Sequence, residues 1–325
     1  MAESTFRSNL LIKNRNFCEG LISSNLKKED LVLIINDLLF ASVSVLHNKE
    51  FIIHPVCLMN SIKNFIGDDK DNPSKPLLRF IIDYLFEFEF RKNDQATLDQ
   101  IVKDGPPVTA FMGDLEDACQ NADWEKAELI MAQIFIASDH SRATFDFLVE
   151  LALQDLPQNG LFVYHILRAY QFQANKSDNW VFTKTIFDQI SNQKLSDPHK
   201  ATDATPEQVF PSVIESGEII LFSVIERIWN GDYVRLKGYK RELSYWLSDR
   251  FLNKSSNFDL IEYSKIENKK FICFIPIAEK IVKQNKSINK KAIEIIKLES
   301  IRGLSRLLNE NQIEYFNKRF DNFSI

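Results

Sequence analysis

Apolar residues recur at every third or fourth position through most of this chain, the spacing of helices that bury one face. The clearest run spans residues 114–172. Asn121-Ala122-Asp123-Trp124 separates two such patterns, and Asp123 is placed as an N-cap whose carboxylate accepts from the next turn's N–H groups. The helix after it carries Ala127, Ile130, Met131 and Ile134 on one face and is predicted to stop near Ser138-Asp139. A further helix carries Phe145, Leu148, Ala152 and Leu156, with Pro157 and Gly160 as its expected end. The last helix of the run puts Val163, Ile166, Leu167 and Tyr170 on one stripe.

The same pattern extends in both directions. One or two short helices are predicted within 1–28, where Asn16 and Glu19 have the spacing of a capping box. Glu29 to Leu46 reads as a strong helix, and Pro55 suits the first turn of the next one, which runs to Phe65. Leu77 to Phe90 is rich in aromatic residues. Its end, Leu85 to Phe90, alternates like a strand, but no partner strand is evident and helix is preferred. Asp104-Gly105-Pro106-Pro107 is the clearest boundary, and the polar segment Ser191 to Pro211 is a second. Helices are expected over Ile214 to Asn230 and Tyr239 to Leu252, followed by a lysine-rich span over 253–325.

A landmark recurs along the chain. Asn14-Arg15-Asn16-Phe17, Asn121-Ala122-Asp123-Trp124 and Asn230-Gly231-Asp232-Tyr233 share an Asn-x-Asn/Asp-aromatic pattern at offsets of 107 and 109. Val56 and Val163, and Phe65 and Phe172, repeat the offset of 107. The expected fold class is therefore all-α and multi-helical, with three related units of about 107–109 residues packed as one body. The units would occupy 1–105, 106–212 and 213–325, each a small block of several helices.

Composition agrees with helices. Only 9 Gly and 10 Pro occur in 325 residues, which disfavours a loop-rich or all-β chain, and 26 Phe point to a core dominated by aromatic packing. The net charge of −5 gives no general attraction for nucleic acid. Cys18, Cys57, Cys119 and Cys273 form no CxxC pair and read as buried free thiols, so a structural metal is not expected. The N-terminus lacks the order of a signal peptide and no apolar run is long enough to span a bilayer, so the expected location is cytoplasmic, without a membrane partner.

Catalytic signatures are sparse. There is no GxSxG elbow, Walker loop or GxGxxG. Among five histidines, His47 and His54 flank one helix junction. If the offset of 107 superposes two units, His54 matches Leu161 and His165 matches Leu58, which places the two four residues apart on equivalent helices. His47, His54 and His165 are therefore the catalytic candidates, set against the plainer reading of each as a buried, hydrogen-bonded side chain. The acidic pairs Glu116-Asp117 and Asp68-Asp69 read as solvated, and the C-terminal lysines, diluted by glutamate, as a solvated helix face rather than an RNA contact.

Asn121-Ala122-Asp123-Trp124, Ala152-Leu153-Gln154-Asp155 and Asn159-Gly160-Leu161, about 50 residues in all, resemble helical segments of questin oxidase-like proteins and of helical domains appended to some Rieske-type proteins. The resemblance implies an all-helical fold and an oxidative role. Those families place a histidine directly after the glycine, where this chain has Leu161; the corresponding place in the first unit is His54. No catalytic role is carried over. The leading expectation is a helical scaffold or binding protein whose grooves between units receive a protein partner or a small apolar ligand. The alternative is an oxidoreductase-like enzyme with His47, His54 and His165 around an inter-unit pocket; its cofactor is not specified by the sequence.

Overall fold

The computed structural model describes residues 5–47, 53–105, 109–191, 193–216, 218–252 and 274–307. They form an all-α, multi-helical protein. The first helices are α1 (Thr5–Leu11), α2 (Arg15–Ser23), α3 (Lys28–Val43), α4 (Pro55–Asp68), α5 (Lys75–Phe86) and α6 (Ala96–Asp104). The middle of the chain gives α7 (Met112–Gln120), α8 (Trp124–Ala137), α9 (Ala143–Leu153), α10 (Leu156–Phe172) and α11 (Asn179–Ile190). The rest gives α12 (Pro206–Ser216), α13 (Ile219–Trp229), α14 (Leu236–Leu247), α15 (Phe274–Lys283) and α16 (Ile288–Leu304).

Local signals set most helix starts. Asp123 caps α8 by accepting from the Lys126 N–H, and Pro55 opens α4 with His54 as its cap. At the first landmark the cap is Asn14 and not Asn16. Lys13 takes a positive φ of 57°, which turns the chain so that the Asn14 side chain accepts from the Phe17 N–H. Ala122, with φ 56°, does the same before Asp123.

Pro157 and Gly160 do not end a helix. Pro157 lies in the first turn of α10, where its missing N–H is not needed. Gly160 lies inside α10. A Cβ there would stand 2.9 Å from Cδ1 of Leu156, one turn earlier in the same helix, so its small size makes room for that side chain. The aromatic helix α5 stops at Phe86. Beyond it the alternation in the sequence is used: Phe88 and Phe90 are buried, Glu87 and Glu89 are exposed, and Phe90 forms an isolated antiparallel bridge with Val45. The partner strand was too short to be visible in the sequence. The polar segment 191–211 is interrupted by α12, which begins at Pro206. Pro106 and Pro107 of the first boundary, Cys273 and the stretches 253–273 and 308–325 lie outside the described residues, whereas Lys280, Lys283, Lys286, Lys290, Lys291 and Lys297 lie within them, on or between α15 and α16.

The buried side chains form one continuous core, in which Phe65, Phe135, Phe145, Phe182, Phe210, Phe222 and Phe251 are almost wholly enclosed. α10 is its centre and packs against α3, α4, α9, α11, α13 and α14. Four helices close a ring: α4 on α10, α10 on α13, α13 on α16, and α16 back on α4. α15 packs on α5, and Ser74 donates to Glu279 at 2.7 Å, so the last two helices return to the first part of the chain. No described helix is long and apolar enough to cross a membrane.

Arg7 ties three segments together. It donates to Asp37 of α3 at 2.9 Å and to both oxygens of Asp178 at 3.0 Å, and it stacks on Phe40. All three ionic groups are largely buried. Arg7→Leu leaves two carboxylates with their cation removed and is expected to cost about 3–5 kcal/mol, read as a lowered urea midpoint.

Candidate functional site

The four ring helices all run toward the same end of the molecule. Their C-terminal halves surround a recess of about 610 Å³, lined by Lys63, Asn64 and Asp68 of α4, Tyr164, Arg168 and Phe172 of α10, Glu226 and Arg227 of α13, and Glu299 and Arg302 of α16. Lys70 and Arg306 complete its rim. Six cationic side chains thus face three carboxylates.

Glu299 is fully buried at the base. It accepts from Arg227 Nη1 at 2.7 and 2.9 Å and from Asn64 Nδ2 at 2.8 Å, and Arg302 Nη1 lies 3.8 Å away. Burial alone would raise this carboxyl, but the Arg227 guanidinium and its neighbours outweigh burial and hold it down at about 2. Arg302 is paired through two nitrogens with Asp68. Glu226 accepts from Asn230 Nδ2 at 2.8 Å. Each carboxylate of the recess therefore already has a partner.

The cations outnumber these acids. Among the described residues, neither Lys63 nor Arg168 has a carboxylate within ion-pair distance. Lys63 Nζ lies 5.1 Å from the centre of the Phe172 ring, and Arg168 donates to Gln171 at 2.7 Å. Burial, reinforced by Arg168, lowers the Lys63 ammonium to about 8. Burial and Arg302 lower the Arg306 guanidinium as well. Arg227, in the same recess, is instead held above its ordinary value by Glu299 despite its burial, as Arg7 and Lys184 are elsewhere by their own facing carboxylates. Arg227 Nη2 is buried and has no hydrogen-bond partner among the described residues. The negative ends of four helix dipoles, about half a charge each, also point here and favour cations. They offset part of the positive excess and leave the rest.

Beneath the recess lies a wholly buried pair. Asn60 Nδ2 and His165 Nδ1 lie 2.8 Å apart, and His165 Nε2 is buried with no hydrogen-bond partner among the described residues. Burial lowers His165 to about 3, and its charged neighbours are Glu299, Arg227 and Lys63.

His47 and His54 lie together elsewhere. Their rings are 5.0 Å apart, and both line a second cavity of about 580 Å³ with Arg91, Thr185, Asp188 and Gln189. His54 Nδ1 accepts from the Val56 N–H at 3.3 Å, and burial, with His47 and Arg91 nearby, keeps its imidazole neutral. His165 does not line that cavity. His199 pairs with Glu242 at 2.7 Å and stacks on Tyr245; His140 stacks on Phe135. No group of three or more His, Cys, Asp or Glu among the described residues could hold a metal ion.

Sequence reasoning missed Lys63, Arg168, Arg227, Glu299 and Arg302. The available signal was a cation near the end of each of four helical patterns, at 63, 168, 227 and 302. Comparison with protein-family models, with curated proteins and with solved structures gives no match to this chain.

Two stability measurements follow from these charges. Glu299→Gln removes the anion that balances Arg227 and is expected to cost about 3–5 kcal/mol, seen in denaturant titration at pH 7. Lys63→Met should stabilise the ligand-free protein by about 2 kcal/mol at pH 7. The sign follows from the lowered value of Lys63: the unfolded chain binds the extra proton between its folded value near 8 and the ordinary 10.5. The wild type therefore gains stability as pH rises through that window, and the advantage of Lys63→Met shrinks across it.

Proposed function

We propose that this protein is a binding protein whose ligand is a small anion, seated in the recess at the C-terminal ends of α4, α10, α13 and α16. One observation carries the reading: among the described residues six cations and three carboxylates line the recess, and neither Lys63, lowered chiefly by burial and further by Arg168, nor Arg168 has a carboxylate within ion-pair distance. A bound anion would supply the missing negative charge. Arg168 lines the recess and offers donors, and guanidinium groups match phosphate or carboxylate oxygens in pairs.

This reading keeps the groove between helical units expected from the sequence and changes its occupant. An apolar ligand would leave the excess charge of Lys63 and Arg168 uncompensated in a partly dehydrated site. The three-unit division, 1–105, 106–212 and 213–325, belongs to the same proposal, with α4 and α10 as equivalent helices of the first two units. The oxidoreductase alternative would need His47, His54 and His165 about one pocket, and only the first two share one.

Inorganic phosphate is the first probe. At constant ionic strength it should raise the melting temperature of the wild type with the logarithmic dependence of a ligand that binds only the folded state. It should also return the Lys63 ammonium, followed by NMR of the 13C-dimethylated protein, from about 8 toward its ordinary value. Lys63→Met with Arg168→Gln should abolish the stabilisation. An equal effect of chloride, or an undiminished effect in the double variant, would overturn the proposal.

A further inference from the structure

The cysteines are poor candidates for covalent chemistry. Cys18, Cys57 and Cys119 are buried, and burial pushes Cys18 up to about 11 and Cys119 up to about 12. The histidine cavity has no thiol, no metal set and only two imidazoles, both against Phe88 or Phe162 rings. Lys63 differs from all of these. It stands in the wall of an open recess, with the Phe172 ring beside its amine, Arg168 and Arg302 as cationic electrostatic neighbours against the single anion Glu299, and no ion-pair partner among the described residues. A lysine beside other cations and partly desolvated is the usual environment of an amine that reacts with carbonyl groups.

We propose that Lys63 is the nucleophile of a reversible covalent binding site, forming an imine with a small aldehyde or ketone whose phosphate or carboxylate is held by Arg168 and the neighbouring cations. The inference rests on the anion-binding reading of the recess and adds to it the class of ligand. In the ligand-free recess a substantial fraction of Lys63 is unprotonated near neutral pH, because its ammonium loses its proton at about 8; the anion of a bound ligand raises that value, so attack draws on a smaller neutral fraction held close to the carbonyl. The neutral Nζ lone pair attacks the carbonyl carbon, and the C–N bond forms as the C=O π pair moves to oxygen. The amine loses a proton and the oxygen gains one, giving the carbinolamine. Uptake of one further proton expels that oxygen as water and leaves the iminium. Amine, carbonyl and one proton thus give iminium and one water, with no oxidant or reductant. An anionic head group places the carbonyl carbon near Nζ, so binding raises the effective concentration of the reacting pair. The positive surroundings also favour the neutral amine before reaction, and the anion of the ligand offsets the charge of the iminium afterwards.

The test uses the full chain and two aldehydes, pyridoxal 5′-phosphate for the phosphate class and glyoxylate for the carboxylate class. Each is reduced onto the protein with borohydride at about pH 7.5 and located by peptide mass mapping. Lys63 should be labelled about tenfold or more above the exposed Lys28, Lys103 and Lys126. Inorganic phosphate should suppress that labelling, and unphosphorylated pyridoxal should show no preference for Lys63. Labelling by either anionic aldehyde supports the inference and names the head group. Even labelling of Lys63 and the exposed lysines by both would overturn it. If phosphate still raises the melting temperature in that case, the anion site stands and only the covalent step falls; if phosphate has no effect, both fall. Lys63→Met, checked for its expected gain in stability, should lose the selective adduct while remaining folded, and a selective adduct elsewhere in the recess in that variant would also overturn the assignment.

Discussion

Burying the Glu299 carboxylate at the meeting point of four helices constrains everything around it. An unpaired carboxylate there would cost several kcal/mol, so α13 brings Arg227, α16 brings Arg302 from one turn further on, and α4 brings Asn64. Arg302 in turn holds Asp68 at the end of α4. These contacts link residues more than 230 positions apart and fasten the C-terminal hairpin to the first part of the chain. The ring of α4, α10, α13 and α16 is thus closed by ionic groups at one end, while its sides are closed by apolar packing.

That solution overshoots. Helices running in the same direction bring four negative dipole ends together, and cations near each end answer them. The arginines required by Glu299 and Asp68 arrive in the same place. Lys63 and Arg168 are then added with no carboxylate within ion-pair distance among the described residues, and burial, reinforced by Arg168, lowers the proton affinity of Lys63. A protein selected only for stability would place a neutral side chain at 63. The cation at 63, Arg168 and the open volume beside them are the features on which the proposed anion site rests.

The histidines show the opposite arrangement. His165 and His54 are enclosed and neutral, and His54 spends one nitrogen on capping α4. Their burial makes them acid-sensitive structural groups: an imidazole lowered on folding contributes stability that is lost as pH falls from 6.5 toward 3 for His165. The pair Asn60 and His165 sits directly under the charged recess, so the polar interior is continuous from the helix packing to the site.

Much of the helical architecture was written in local pattern. The cap at Asp123, the proline start at Pro55 and the stripe Val163, Ile166, Leu167 and Tyr170 depend on spacing within a few residues, and such signals survive in any context. Where local reading failed, distant neighbours had decided. Phe90 lies beyond the end of α5, where Val45, 45 positions away, offers a backbone partner. The site belongs wholly to this second kind. Each of Lys63, Arg168, Arg227 and Arg302 reads in sequence as an ordinary polar position late in a helix. Only the tertiary structure aligned those four helix ends, and electrostatic interaction depends on distance in space, which the order of residues along the chain does not record.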